Sequence, residues 1–202
     1  MNLLTLEQLT EIVEKTKHDL FRIETLPSYD TVMTTGDLRR WLDDEAEPDW
    51  KTRQPWLDKL AQWASEGRPR RRVHVIHDPP TDYERYACDW GYRHNVAAGE
   101  LVRILDLAEQ SPPHELQFAP GDWSLMDGRD VVKMHYDPDG QFRGAQLWDA
   151  EHIERHRLAA DALWRNAEPF TTWWDRPPGI PPLGRSSGLE DGYLVEQPRA
   201  AC

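Results

Sequence analysis

The sequence predicts an α+β fold, a single domain in which a mostly antiparallel sheet, a meander, is flanked by N-terminal and C-terminal helices. Three observations carry that expectation. Short apolar runs after residue 114 are separated by Asp127-Gly128 and by Asp137-Pro138-Asp139-Gly140, residues that build tight turns between neighbouring strands. Helical periodicity stands at both ends, in "TLEQLTEIVEK" and in "WDAEHIERHRLAADALWRNAEPF". Between them, "RRVHVIHD" and "LVRILDL" read as strands.

Taken in order, Thr5-Leu6-Glu7-Gln8 has the Thr-x-x-Gln form of a capping box, and Leu6, Leu9, Val13 and Leu20 follow helical spacing, so a helix is expected from residue 6 to about 18. "LFRIETLPSYD" reads as extended as far as Pro27. Leu38, Trp41 and Leu42 indicate a short helix, which the acidic, solvated "DDEAEPD" ends. Pro55 suits the first residue of the next helix, Leu57, Leu60, Ala61 and Ala64 make its buried stripe, and Gly67 stops it. In "RRVHVIHD", Val73 and Val75 share one face while His74 and Ile76 share the other, and Pro79-Pro80 breaks the strand. Thr81 or Asp82 caps a helix with Tyr83, Tyr86, Ala87 and Trp90 on one face and Asp82, Arg85 and Asp89 opposite. The final helix carries Ile153, Leu158 and Leu163. The domain is expected to span residues 1–170, with residues 171–202 a Pro/Gly-rich tail.

Composition narrows the function classes. Thirty-six acidic against 24 basic residues give a net charge of −12, which argues against direct nucleic-acid binding and against attachment to anionic membranes. There is no apolar run long enough to span a bilayer. The first residues lack a basic leader and cleavage site, so a cytoplasmic location is expected. Cys88 and Cys202 are too few for a disulfide framework. Ten Trp beside few aliphatics point to a core built largely from aromatics.

Signals for metals and nucleophiles are weak. His152 and His156 stand i, i+4, but a zinc protease needs Glu directly after the first His, and no third ligand is near. Cys88 and His94 are close in sequence only, and a small buried thiol is the simpler reading of Cys88. Nucleotide-binding and serine-hydrolase motifs are missing, so neither a metal nor a cofactor is expected. "GRPRRRV" reads as a solvated turn entering a strand, with an anion contact as the alternative.

The remaining constellation lies in residues 81–103, "TDYERYACDWGYRHNVAAGELVR". Asp82 and Arg85 can pair along a helix. Glu100 and Arg103 leave a strand on opposite faces, and parity puts Arg103 beside Leu101, Leu105 and Leu107. A guanidinium there needs a carboxylate, from Asp82, Asp122 or Asp127, or an anionic ligand. Two readings stand: a buried Arg–Asp bridge between helix and sheet, or a pocket for anion recognition and acid/base chemistry.

The motifs "RVHVI", "TDYER", "NVAAGELVR", "DWSLMD", "YDPDG" and "ALWRNAEPF" occur in that order. Together they resemble an actinobacterial family, domain of unknown function 6879, over about residues 20 to 170. Matching positions are Arg72, Thr81, Asp82, Tyr83, Arg85, Asn95, Gly99, Glu100, Arg103, Asp122 and Asp127; Ser124 and Met126 depart from a pattern that prefers aromatics there. The resemblance implies association with helix-turn-helix regulators, beside which such proteins are often encoded. The first expectation is therefore a regulatory binding module that partners a DNA-binding regulator and senses a small anionic ligand. Arg72, Tyr83, Arg85, Asn95, Arg103, Asp122 and Asp127 are its candidate ligand-binding residues. The alternative is a small toxin-like or tailoring enzyme with Asp82 and Glu100 as acid/base and arginines as anion clamps.

Overall fold

How the strands are connected decides what each face of the sheet meets. The structure, a computed structural model, describes residues 3–30 and 32–176. Strands β1 (Leu20–Glu24), β2 (Arg70–Ile76), β3 (Leu101–Asp106), β4 (Trp123–Met126), β5 (Asp130–Tyr136), β6 (Phe142–Trp148) and β7 (Glu168–Pro169) form a seven-stranded sheet of order β6-β5-β4-β1-β2-β3-β7.

The meander is real only on one side: β4, β5 and β6 pair antiparallel, as the Asp127-Gly128 and Asp137–Gly140 turns require. The sheet is mostly antiparallel, as expected, but the expected meander is corrected at the centre. There β1 runs parallel to β2 and β2 parallel to β3. Parallel neighbours need a crossover, and helices supply it. Helices α2 (Val32–Leu42) and α3 (Trp50–Ser65) carry the chain from β1 to β2. From β2 to β3 it passes through α4 (Asp82–Tyr86), a π-helical segment (Ala87–Tyr92) and α5 (Arg93–Ala97). The sheet is mixed, and its central strands are covered on both faces.

Parity along the strands sorts the residues. Phe21, Ile23, Val73, Val75, Leu105, Trp123 and Leu125 point to one face and pack with Ala159, Ala160 and Leu163 of α7 (Ile153–Asn166). This main core is chiefly aliphatic, with Phe21 and Trp123 its only fully embedded aromatics among the described residues, so the aromatic core expected from composition is corrected. The opposite face takes Arg22, Glu24, Arg70, Arg72 and His74, under α2 to α5.

Helix α1 (Leu6–Lys15) begins at the expected capping box, with Thr5 and Gln8 bonding reciprocally. It packs Leu9, Ile12 and Val13 beside Leu20, Met126, Val132 and Met134. Leu6 is 68% exposed and falls outside the expected stripe. In α3 the helix starts at Asp49, whose carboxylate accepts from Lys51 N and Thr52 Oγ1, and Pro55 stands inside it instead of opening it. Its buried stripe is Leu57, Leu60 and Trp63, with Arg70 of β2 over the Trp63 ring, while Ala61 and Ala64 are exposed. On α7, Leu158 is 59% exposed and the two small alanines make the close approach to the sheet.

A four-residue helix, α6 (Glu115–Phe118), precedes β4. The chain does not become a tail at 171: α8 (Phe170–Trp174) stacks Phe170 on Trp174, and Trp173 Nε1 donates to Asp106 at 2.9 Å. The Pro-rich segment from residue 177 on, with Cys202, lies outside the described residues. Among the described residues no helix is long and apolar enough to cross a membrane.

Candidate functional site

Four strand residues make the floor of the site. Arg22 and Glu24 project from β1, and Arg72 and His74 from β2, side by side because the strands are parallel and in register. The Oε1 oxygen of Glu24 accepts from Arg22 Nε at 2.7 Å and from Arg72 Nη1. Its Oε2 accepts from the Tyr92 hydroxyl at 3.0 Å and lies 3.4 Å from His74 Nδ1. Arg72 turns its other edge to Glu100, with Nε and Nη2 at 3.0 and 2.9 Å from one oxygen, and Asn95 Nδ2 donates to the other at 2.8 Å. Arg22 Nη2 donates to the Tyr136 hydroxyl at 3.0 Å and lies 3.7 Å from Asp122. Asp122 in turn accepts from Thr25 N, Thr25 Oγ1 and the Tyr29 hydroxyl.

The network spreads two arginines over three carboxylates, all largely out of water. Burial opposes ionisation of Glu24, but Arg72 and Arg22 outweigh it and hold its carboxyl well below the usual range. Burial likewise opposes the charge on Arg72, and Glu100 and Glu24 outweigh it, so the guanidinium holds its proton more tightly than usual. The same holds at Arg22, where Tyr136, Glu24 and Asp122 overcome burial. A buried ionic lattice is tolerated only where each charge is paired and hydrogen-bonded, and this one is.

Above the floor lies a cavity of about 240 Å³. Its walls are mainly tyrosines. Tyr136, Tyr29, Tyr83 and Tyr86 form a continuous belt, with centroids 5.2, 5.4 and 6.1 Å apart, and Trp56 and Tyr92 complete it. Burial raises the phenols of Tyr29, Tyr83 and Tyr92 well above the ordinary value and that of Tyr86 to about 12, so they stay protonated donors. From the helical layer, Arg53 of α3 reaches in, held by Asp37 at 2.8 Å and by the Tyr86 hydroxyl at 3.0 Å. The π-helical segment adds Ala87, Gly91 and Tyr92 to the lining. One wide turn carries Tyr92 down to Glu24 and leaves Gly91 open, since a Cβ built there meets nothing within 4 Å. Such π-turns gather at functional sites.

The residues singled out in the sequence are scattered more widely than one pocket. Arg72, Tyr83 and Asn95 line the cavity, and Glu100 and Asp122 hold the arginines of its floor from behind. Asp82 is exposed at the start of α4 and makes no ion pair with Arg85, which is half-buried with its Nε unbonded. The cap of α4 is Thr81, in a box with Glu84. Asp127 sits where β4 turns into β5, at φ +50°, and its carboxylate accepts from the backbone N–H groups of Lys17, His18 and Asp19. Those three donors overcome burial and lower its pKa to about 2.

Arg103 is a correction. It does leave the sheet on the face of Leu105, but among the described residues no carboxylate meets it. Its Nη1 donates to the backbone carbonyls of Trp164 and Ala167 at 2.8 and 3.2 Å, and its guanidinium lies 4.5 Å from the Trp164 ring centre. The unpaired carbonyls at the C-terminus of α7, with its negative dipole end, supply what a carboxylate was expected to supply. The "GRPRRRV" cluster is corrected too, because it is not a solvated turn. Arg68 pairs with Glu66, Arg71 with Asp19, and Arg72 with Glu24 and Glu100. Arg70 lies 4.1 Å from the Trp63 ring centre, and burial lowers its pKa to about 10. Cys88 is fully buried, which pushes its thiol up, away from nucleophilic use.

Arg22, Glu24, Tyr29, Asp37, Arg53, Tyr92 and Tyr136 were missed from sequence. A signal did exist in "LFRIE", where Arg22 and Glu24 alternate with Phe21 and Ile23. In an antiparallel sheet with one wet face, alternate polar residues point to water. Only the helical crossovers cover that face and turn the pair into a floor.

The family model described as domain of unknown function (DUF6879) matches residues 7–175, and the chain belongs to that family. No curated protein matches the sequence.

Proposed function

We propose that this member of the family is a small-molecule-binding module whose ligand occupies the tyrosine-walled cavity, and that it acts in the cytoplasm through a partner protein, a helix-turn-helix regulator. One observation carries the binding reading: an aromatic cavity stands on an ionic floor in which every carboxylate is already engaged. A rigid, satisfied floor recognises a ligand without reorganising, and concave sites with few placed polar groups are the usual form of ligand pockets. The same observation weakens the enzyme reading. Glu100 has both oxygens bonded and does not line the cavity, and Asp82 is on the outside, so neither supports a general base. Docking to a basic partner is supported by the exposed acidic turn, Asp43 to Glu47, after α2.

Gly91→Phe tests the binding reading, because Gly91 lines the cavity and a Cβ built there meets nothing within 4 Å. A metabolite library screened by ligand-observed NMR should yield compounds that contact the wild type and lose contact in Gly91→Phe. Identical profiles for the two proteins, with both folded by circular dichroism, would remove the cavity as the site. For the partner, neutralising Asp43, Asp44, Glu45 and Glu47 to Asn or Gln should weaken capture of the regulator encoded next to this chain. Unchanged capture would count against docking through that turn.

A further inference from the structure

The hydrogen-bonding inventory of the cavity identifies the kind of ligand it takes. On the acceptor side the lining carboxylates are engaged, and what is left is the Asn95 amide oxygen and the hydroxyl oxygen of Tyr83. Glu24 accepts at both oxygens, and Asp37 accepts from Asp49 N at one oxygen and from Arg53 at the other. Donors are in surplus. Arg22, which lines the cavity, uses Nε and Nη2, while its Nη1 has no hydrogen-bond partner among the described residues. Tyr83 likewise lines the cavity, and its hydroxyl has no partner among the described residues. The hydroxyls of Tyr136 and Tyr86 each accept from an arginine, so their own protons remain free to donate.

Resting on the binding reading, we infer that the cavity takes a small ring compound bearing an sp² oxygen, a carbonyl or carboxylate. The oxygen points at the Arg22 and Tyr83 donors and the ring lies against the tyrosine belt. An amine fits these groups less well: both oxygens of each lining carboxylate already accept, so its N–H groups would be left with the Asn95 amide oxygen and hydroxyl oxygens, beside the Arg22 guanidinium. The ring follows from the walls, where offset and edge-on contacts to Tyr29, Tyr83 and Trp56 are on offer.

Three matched probes test it: benzoate, benzamide and benzylamine, titrated by saturation-transfer NMR into the wild type, Tyr83→Phe and Gly91→Phe. Benzoate and benzamide should each bind the wild type at least about tenfold tighter than benzylamine, the worth of one well-made charge-assisted hydrogen bond. Comparing the two separates a charged from a neutral acceptor. Tyr83→Phe should weaken both oxygen probes several-fold, and Gly91→Phe should abolish them. Backbone amide and indole shifts in the wild type, mapped to Arg22 and Trp56, locate the site even if a variant folds poorly. Benzylamine binding as tightly as benzoate, and lost in Gly91→Phe, would overturn the ligand class and leave the cavity standing. If no probe perturbs Arg22 or Trp56 and none responds to Gly91→Phe, the cavity reading falls and the ligand class with it.

Discussion

The two faces of the central strands β1, β2 and β3 carry arginines into the interior by different means. On the face packed against α7, Arg71 and Arg103 lay their guanidinium groups over Trp164, 5.3 and 4.5 Å from its ring centre. Their polar edges go to the rim, where Arg71 meets Asp19 and Arg103 meets backbone carbonyls. On the face under α2 to α5, Arg22 and Arg72 stand in the middle of the sheet and are neutralised by Glu24, Glu100 and Asp122. The first arrangement is packing with a polar finish. The second is a lattice in which each charge depends on its neighbours, and a cavity has been left above it. A fold without need of that cavity could cover the same strand positions with aliphatic residues at lower desolvation cost.

The largest expected effect breaks the lattice. Arg72→Met leaves Glu24 and Glu100 buried without their main counter-charge and should lower stability by about 3–5 kcal/mol in urea unfolding. The double variant Arg72→Met/Glu100→Gln removes one stranded charge and should recover part of that loss. On the α7 face, Ile23→Ala should cost a comparable ~2–5 kcal/mol through a cavity, with no second change at a charged site able to restore it. If Glu100→Gln restores nothing, the floor is held by packing and the contrast between the faces disappears.

The contrast also explains what could be read from the sequence. Much of what local chemistry governs was legible: the Thr5 and Gly67 helix signals, the two hairpin turns, the parity of Val73 and Val75 against His74. The site was half legible. Asn95, Glu100 and Asp122 stood out by residue type, and Arg72 and Tyr83 through the family resemblance, but Arg22, Glu24 and Tyr136 did not. Their role depends on β1 lying beside β2 although residues 25–69 separate the two strands. Reading the strand–helix–strand alternation as crossovers, instead of as a meander with helices at its ends, would have put a cover over Arg22 and Glu24. Arg103 failed for a different reason. Parity gave its face correctly, but the carbonyls at the end of α7 come from tertiary packing that no spacing encodes.

A middle-sized effect sharpens the comparison at the sheet's rim. Asp127 receives three backbone N–H groups, and Asp127→Asn keeps a residue tolerant of positive φ while leaving one acceptor oxygen where there were two. The expected loss is about 2 kcal/mol. Because the folded carboxyl titrates at about 2, below the unfolded value of about 3.9, its stabilisation is complete above the unfolded value. It is lost as pH falls from about 4 through about 2. Glu24, also held low, moves the same way. Unfolding midpoints of the wild type should therefore fall more steeply across that window than those of Asp127→Asn. Parallel curves would show that the turn does not depend on the carboxylate's charge.

The smallest effect is the most specific. Arg103→Met keeps an unbranched stem against Trp164 and gains a sulfur–aromatic contact, while the carbonyls of Trp164 and Ala167 lose their donor. A cost of about 1–2 kcal/mol is expected in chemical denaturation. Probe binding in the cavity should be unchanged, since Arg103 leaves the sheet on the other face and touches no wall of the site. Tyr83→Phe should do the reverse, weakening the oxygen probes while leaving unfolding nearly where it was, because its hydroxyl has no hydrogen-bond partner among the described residues. If Arg103→Met weakens benzoate as much as Tyr83→Phe does, the two faces are coupled through β3. The floor would then no longer be a self-contained lattice.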